Sequence, residues 1–447
     1  MSRSRPGLFL AIACAWALSA APLASAPTAP PAPKAAALDP GRIARDLDAW
    51  ARPLVDAGHL SGQVLIARGG RVIERDWGFA DRERRVRVTP ETRFNIASVT
   101  KPMTVMLAIQ LMREKKLGFT DTLERWIPGL PSGRHMTVEH LLRHRSGIPH
   151  RVTTEKDETQ PMTAAEFVAF AKRCTLMFEP GTRSSYSSAG FSVLARVLEL
   201  AGGRTYDQLL HERLLDSLGM SHTSEPDSRV LLPDRALSYV PGASGFENAP
   251  LKDYSFLVGA GSVFSTVGDL NRLVQAVVSG RLGESIRAST LRDGKLSWNG
   301  NSNGFVAWAD WDSATGTTVI FAGNVHTGAT DLLRNAARRI AAGETLPPAT
   351  VPGLTSITLP DSALRRFEGV YQLENGTRLE VRAQGGVLWS NDWVMRPVSA
   401  TRFFSPRDYG DVTAVAGPSG RVERLDWTQS GTVYPAPRIG DLSPRAP

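Results

Sequence analysis

Residues 98–111 constrain the fold of this chain more than any other stretch. Their spacing predicts a helix without a polar face, with Met103, Val105, Met106, Leu107, Ile109 and Leu111 distributed to every side. A helix of that kind has to run through the middle of a domain, covered all round. Pro102 is compatible with it because it falls in the first turn, where a missing N–H breaks no helical bond. The flanking sequence offers the cover. A helical stretch is expected over 43–57, then a hairpin of 63–67 and 71–75 turning at Gly69-Gly70. Amphipathic spacing with glycine stops marks helices at 191–202 and 206–218. Thr266 and Asp269 have the spacing of a capping box before a helix through Leu270 and Val274. Strands are expected at 295–298, 305–311 and 317–322, and a helix at 330–342.

Beyond that helix, residues 344–360 are rich in Pro and Thr and read as a linker. Seven short runs follow between turn signals, at 370–373, 378–382, 387–390, 394–398, 402–405, 412–416 and 422–427. Even spacing of short strands predicts a small antiparallel barrel or sandwich. A chain ended near Pro347 is therefore expected to fold alone.

At the other end, Arg3 and Arg5 precede an apolar run over 8–18 and small residues suited to cleavage after Ala20 or Ala26. That is the form of a secretory signal peptide, and the run is shorter than the ~20 residues a membrane span needs. The expected organisation is signal peptide 1–26, Ala/Pro-rich lead-in 27–40, main domain 41–343, linker 344–360 and β domain 361–447. The product is exported, periplasmic or secreted, and the mature chain has no transmembrane segment. Cys174 is then the sole cysteine, so no internal disulfide can form. The formal charge of +8 comes almost entirely from arginine, eight of the 52 basic residues being lysine. Those arginines are interspersed with carboxylates, as in Asp81-Arg82-Glu83-Arg84-Arg85, which argues against nucleic-acid binding.

Ser98 is the only serine three residues ahead of a lysine, Lys101, and the pair opens the apolar helix. Residues i and i+3 share a helical face, so the amine reaches the hydroxyl. A serine needs such a base to become a nucleophile, and burial can lower a lysine pKa far enough to make it one. Backbone N–H groups at the helix start suit a developing oxyanion. Tyr186, in Tyr186-Ser187-Ser188, is a second candidate, since a phenol can relay a proton between nucleophile and leaving group. His140, His144 and His150 raise a metal reading, but no H-E-x-x-H pattern or carboxylate partner accompanies them, and we assign no metal.

The stretch Phe94-Asn95-Ile96-Ala97-Ser98-Val99-Thr100-Lys101 resembles the active-site segment of class C β-lactamases and their relatives, the D,D-peptidases, D-aminopeptidases and family VIII esterases. Four further segments agree in order: 140–148, 179–181 with 186–202, 218–220, and 261–269. The resemblance implies an α+β fold, an antiparallel sheet flanked by helices with an all-helical lobe. It implies a cofactor-free serine hydrolase with Ser98, Lys101 and Tyr186 catalytic, acting on a small ester or amide, peptidoglycan fragments included. Two places depart from the family. Ser188 stands where an asparagine is usual, which weakens the positioning of amide substrates. The third motif has two candidates, His326-Thr327-Gly328 and Trp298-Asn299-Gly300. The second is followed by two strands and a helix, as the family requires, and with it Asn301 would share the oxyanion with Ser98. A tryptophan there is similar to the family VIII esterases, so esterase action is the expectation. D,D-peptidase, D-aminopeptidase or β-lactamase action is the alternative, and an inactive peptidoglycan-binding protein is the reading from another class. The sequence does not address oligomeric state.

Overall fold

The structure, a computed structural model, describes residues 37–226, 229–352, 356–391, 393–429 and 431–442. The expected signal peptide and most of the lead-in lie outside the described residues.

Among the described residues, five strands form one antiparallel sheet: β1 (Gly62–Arg68), β2 (Arg71–Trp77), β3 (Lys295–Ser302), β4 (Phe305–Asp312) and β5 (Thr317–Gly323). Their order is β2-β1-β5-β4-β3, so the chain's early hairpin is joined edge to edge with its late meander. The central strands are buried on both faces. Alternate residues therefore serve two cores: Leu65, Ala307 and Ile320 look one way, Val64, Trp308 and Phe321 the other. A strand covered on both sides reads as an unbroken apolar run, which is how 64–67 and 319–322 appear in the sequence.

One face is covered by α1 (Pro40–Asp56) and α5 (Ala329–Ala341), through Ile43, Leu47, Leu333 and Ile340. The other carries α2 (Thr100–Arg113), α3 (Ser188–Gly202) and α4 (Val267–Val278). The apolar helix is central as expected, with Met103, Leu107, Ala108 and Leu111 fully enclosed. It begins two residues late, at Thr100, after a 3-10 turn over Ala97–Val99. The expected 206–218 helix is interrupted by a π-helical turn at His211–Leu215. At α4 the capping box is only half formed. The Thr266 hydroxyl accepts from the Asp269 N–H, but the Asp269 carboxylate turns instead to the His222 N–H, Thr223 and Arg272.

The C-terminal region is a closed antiparallel barrel of eight strands, from Gly369–Gln372 to Thr432–Gly440. Its interior is filled by Tyr371, Leu388, Met395, Phe403, Leu425 and other apolar side chains. The last strand was not among the seven expected, because Pro435 and Pro437 interrupt its pattern. From Thr432 to Pro437 it pairs with the strand Val422–Gln429, and it meets the first strand only through Arg438 and Gly440, at Tyr371 and Val370. Prolines are tolerated where a strand edge is left unpaired.

The barrel is seated on the main domain. Phe404 and Tyr409 belong to the same core as α1 and α5, and Tyr409 Oη lies 3.0 Å from His59 Nδ1. Arg396 donates to the carbonyls of Gly242 and Gly245. Leu346, Ala349 and Val351, within the segment read as a linker, rest against that core as well.

Candidate active site

Ser98 sits in the 3-10 turn at the head of α2, partly accessible between buried neighbours. The Lys101 amine, one turn on, lies 3.1 Å from Ser98 Oγ, 3.2 Å from Ser188 Oγ and 2.7 Å from the Ala260 carbonyl oxygen. Lys101 is 5% exposed, and burial pushes its pKa below the ordinary lysine range, the neighbouring Tyr186 phenol opposing the shift. None of these three partners is a carboxylate. All three are oxygens, two hydroxyls and a backbone carbonyl, each within reach of an N–H of the amine.

Tyr186 Oη is 2.8 Å from Ser98 Oγ, so the hydroxyl lies between a phenol and an amine. The same amine is 4.8 Å from the Tyr186 ring centre. His144 and His150 bracket that ring at centroid distances of 4.6 and 5.5 Å. Each accepts a backbone N–H at Nδ1, His144 from Ser187 and His150 from Ser188, which assigns the neutral form protonated at Nε2. Burial, with the Lys101 charge next in importance, pushes His144 down to about 3 and His150 to about 4. His140 is elsewhere, closing a capping box with Thr137. The H-x-x-x-H spacing therefore separates into two unrelated jobs. Both the Ala260 carbonyl and the histidine bracket escaped sequence reading. A backbone acceptor has no sequence signal, and the histidines reach Tyr186 only through the fold.

The two third-motif candidates part company. Strand β3 runs alongside the Ser98 turn. A Cβ on Gly300 would stand 2.3 Å from the Ile96 carbonyl oxygen and 2.8 Å from the Ser98 nitrogen, so only glycine permits this approach. Asn301 follows, half-buried and in register with Val306. Trp298 is 2% exposed, its ring in the core beneath β3 and its indole N–H without a partner. Strand alternation places it on the helix side, so it is a wall of the core rather than an open surface. His326, by contrast, contacts Arg407 of the barrel. Thr327 donates to the His59 carbonyl, and Gly328 abuts Asp408 and Tyr409. Ser98, Lys101, Tyr186, Ser188 and Gly300 are together; His326 and Gly328 are at the barrel interface.

A family model described as Beta-lactamase matches residues 47–356. The chain belongs to that family, whose members are serine hydrolases. The Bacillus subtilis penicillin-binding protein PbpX is 26% identical over 223 residues, half of this chain and 56% of that one. The teichoic acid D-alanine hydrolase of Staphylococcus aureus is 25% identical over 218 residues, 48% of this chain and 54% of its own length. The chain thus spans about half the length of the curated relatives it matches. Among solved structures, the D-amino acid amidase of Ochrobactrum anthropi has a TM-score of 0.60 at 20% identity, covering 66% of this chain and 98% of its own. A class C beta-lactamase gives 0.58 at 19%, covering 70% and 99%. These likenesses establish the fold. No helix among the described residues is long and apolar enough to cross a membrane.

Proposed function

We propose that this serine hydrolase works through a covalent acyl-enzyme on Ser98 and prefers small neutral esters. The observation that carries the reading is the Ser98 hydroxyl held between a buried lysine amine and a tyrosine phenol. Ser98 Oγ attacks the substrate carbonyl carbon as Lys101 takes its proton. The oxyanion is met by the N–H groups of Ser98 and Asn301. Collapse of that intermediate expels the leaving group, which takes its proton through Tyr186. Water then repeats the sequence on the acyl-enzyme, returning the proton to restore Ser98. No step calls for a metal or cofactor.

Preference for esters rests on what stands at two positions. The strand place that would carry a substrate-attracting cation holds Trp298, which is apolar and enclosed. A charge-assisted hydrogen bond contributes roughly 1.5–3 kcal/mol, so substrates selected by their carboxylate lose on the order of tenfold to a hundredfold in binding. Ser188 has one short hydroxyl, already within reach of Lys101, with which to hold an amide. Esters need less of either. The amide reading is supported by the names of the relatives, a D-amino acid amidase and a D-alanine hydrolase among them. Export, to the periplasm or by secretion, is part of the proposal, supported by the form of residues 1–26 and by the penicillin-binding relatives. The test compares specificity constants on short-chain p-nitrophenyl esters with those on nitrocefin and a D-alanyl amide. Ester turnover with only trace nitrocefin hydrolysis is expected, and preference for either amide-type substrate would overturn the ester assignment.

A further inference from the structure

We propose that Asn95 is a positioning residue for the reaction, fixing the Ser98 turn and the acceptor of Lys101 with one side chain; this rests on Ser98 being the nucleophile. Asn95 is fully buried, in a two-residue strand, Phe94–Asn95, that pairs with Phe264–Ser265. Its carbonyl oxygen accepts the Ala97 N–H at 3.1 Å. Its amide donates to the Gly261 carbonyl at 2.9 Å and to that of Val263 at 3.3 Å. One end of the amide thus holds the nucleophile's turn and the other holds residues 261–263.

Both ends matter to the site. Ala97, immediately before Ser98, has a φ of 47°, a left-handed conformation that a Cβ disfavours and that persists only where the surroundings impose it. The bond from its N–H to Asn95, two residues back, is a local contact of the kind that stabilises such a turn. Residues 259–261, in turn, offer consecutive carbonyls to α2 and to the strand before it. Gly259 accepts from Thr104 at 2.6 Å, Ala260 from Lys101 at 2.7 Å, and Gly261 from Asn95. The Ala260 oxygen that orients the Lys101 amine is thus one residue from the Asn95 anchor. Losing Asn95 frees the turn and the acceptor together, so the nucleophile and its base lose their mutual register without either being altered.

The full chain is compared as wild type, Asn95→Ala, Asn95→Ala/Ala97→Gly and Ser98→Ala. Concentrations are set by fluorophosphonate titration at saturation, and kcat, KM and melting temperature are read on p-nitrophenyl butyrate. Asn95→Ala is expected to lower kcat on the order of tenfold to a hundredfold with KM within about threefold, the cost of a misplaced reacting group. Glycine takes a left-handed φ unaided, so Ala97→Gly in that background is expected to restore part of the lost kcat. An unchanged kcat per titrated site alongside a lower melting temperature would reduce Asn95 to a structural residue and overturn the proposal, as would failure of glycine to restore any kcat. Should Asn95→Ala not fold, Asn95→Asp keeps the acceptor for Ala97 but loses both donors. A fall in its kcat supports the role, and wild-type kcat overturns it. Labelling or turnover that survives in Ser98→Ala would instead remove the nucleophile on which the proposal rests.

Discussion

An amine shut away from water with no carboxylate among its three contacts favours its neutral form, because desolvation penalises charge. Lys101 is in that position, and its depressed pKa sets the sign of the pH dependence. The base must be unprotonated to accept from Ser98, so kcat/KM is expected to rise with pH and level off with a midpoint below the ordinary lysine value of 10.5. Lys101→Ala should lower turnover about 10²–10⁴-fold, the usual worth of a general base. A pH–rate profile on both proteins checks this, and activity within a few-fold of wild type in the variant would remove Lys101 from the mechanism. Gly300 makes a second prediction at this scale. Its missing Cβ would fall on the Ile96 carbonyl and the Ser98 N–H, so Gly300→Ala must push β3 off the nucleophile's turn. Loss of an oxyanion donor costs about 10²–10³ in kcat, and a fall of that order is expected while circular dichroism stays native. Full activity in the alanine variant would mean that β3 takes no part.

At the scale of elements, legibility followed the range of the interaction. The apolar α2, the hairpin at 63–75 and the glycine-stopped helices could be read because periodicity and turn residues act over a few positions. Ser98 and Lys101 were legible for the same reason, being one helical turn apart. The partners that came from elsewhere were not: Ala260 is a backbone group 159 residues distant in the chain, and the histidine bracket depends on the loop from 144 to 150 folding over Tyr186. Choosing between Trp298 and His326 needed topology, since the letters of His326-Thr327-Gly328 fit the family motif while its place in the fold does not. The bracket has a measurable consequence. His144 is held neutral, pushed down to about 3 in the fold against an unfolded value near 6.5. The unfolded chain binds the proton first as pH falls below about 6.5, so the folded state loses stability through that window and down to about 3. A His144→Asn variant lacks this titration. Between pH 7 and 4.5 its stability relative to wild type is expected to improve on the order of 2–3 kcal/mol, read from urea midpoints. A pH-independent difference would contradict a buried neutral imidazole.

Among the described residues, a five-stranded sheet carries a core on each face, and a barrel is set against one of them. The sequence pattern suggested a separable barrel, but a pattern of strands and turns says nothing about which side chains cross between bodies. Phe404 and Tyr409 do so, filling the core under α1 and α5 and covering His59. Ending the chain near Pro347 would strip those rings away. Burying one such side chain contributes about 1.5–3 kcal/mol, so a fall in melting temperature on the order of 5–10 °C is expected in calorimetry. An unchanged melting temperature in the shortened protein would show that the barrel rests on the domain without supporting it. The central claim, a covalent acyl-enzyme on Ser98, is tested most directly by the mass of the intact protein after a fluorophosphonate probe. Wild type is expected to gain one probe adduct per chain, carried on the peptide containing Ser98, and Ser98→Ala none; full labelling of the alanine variant would contradict the account.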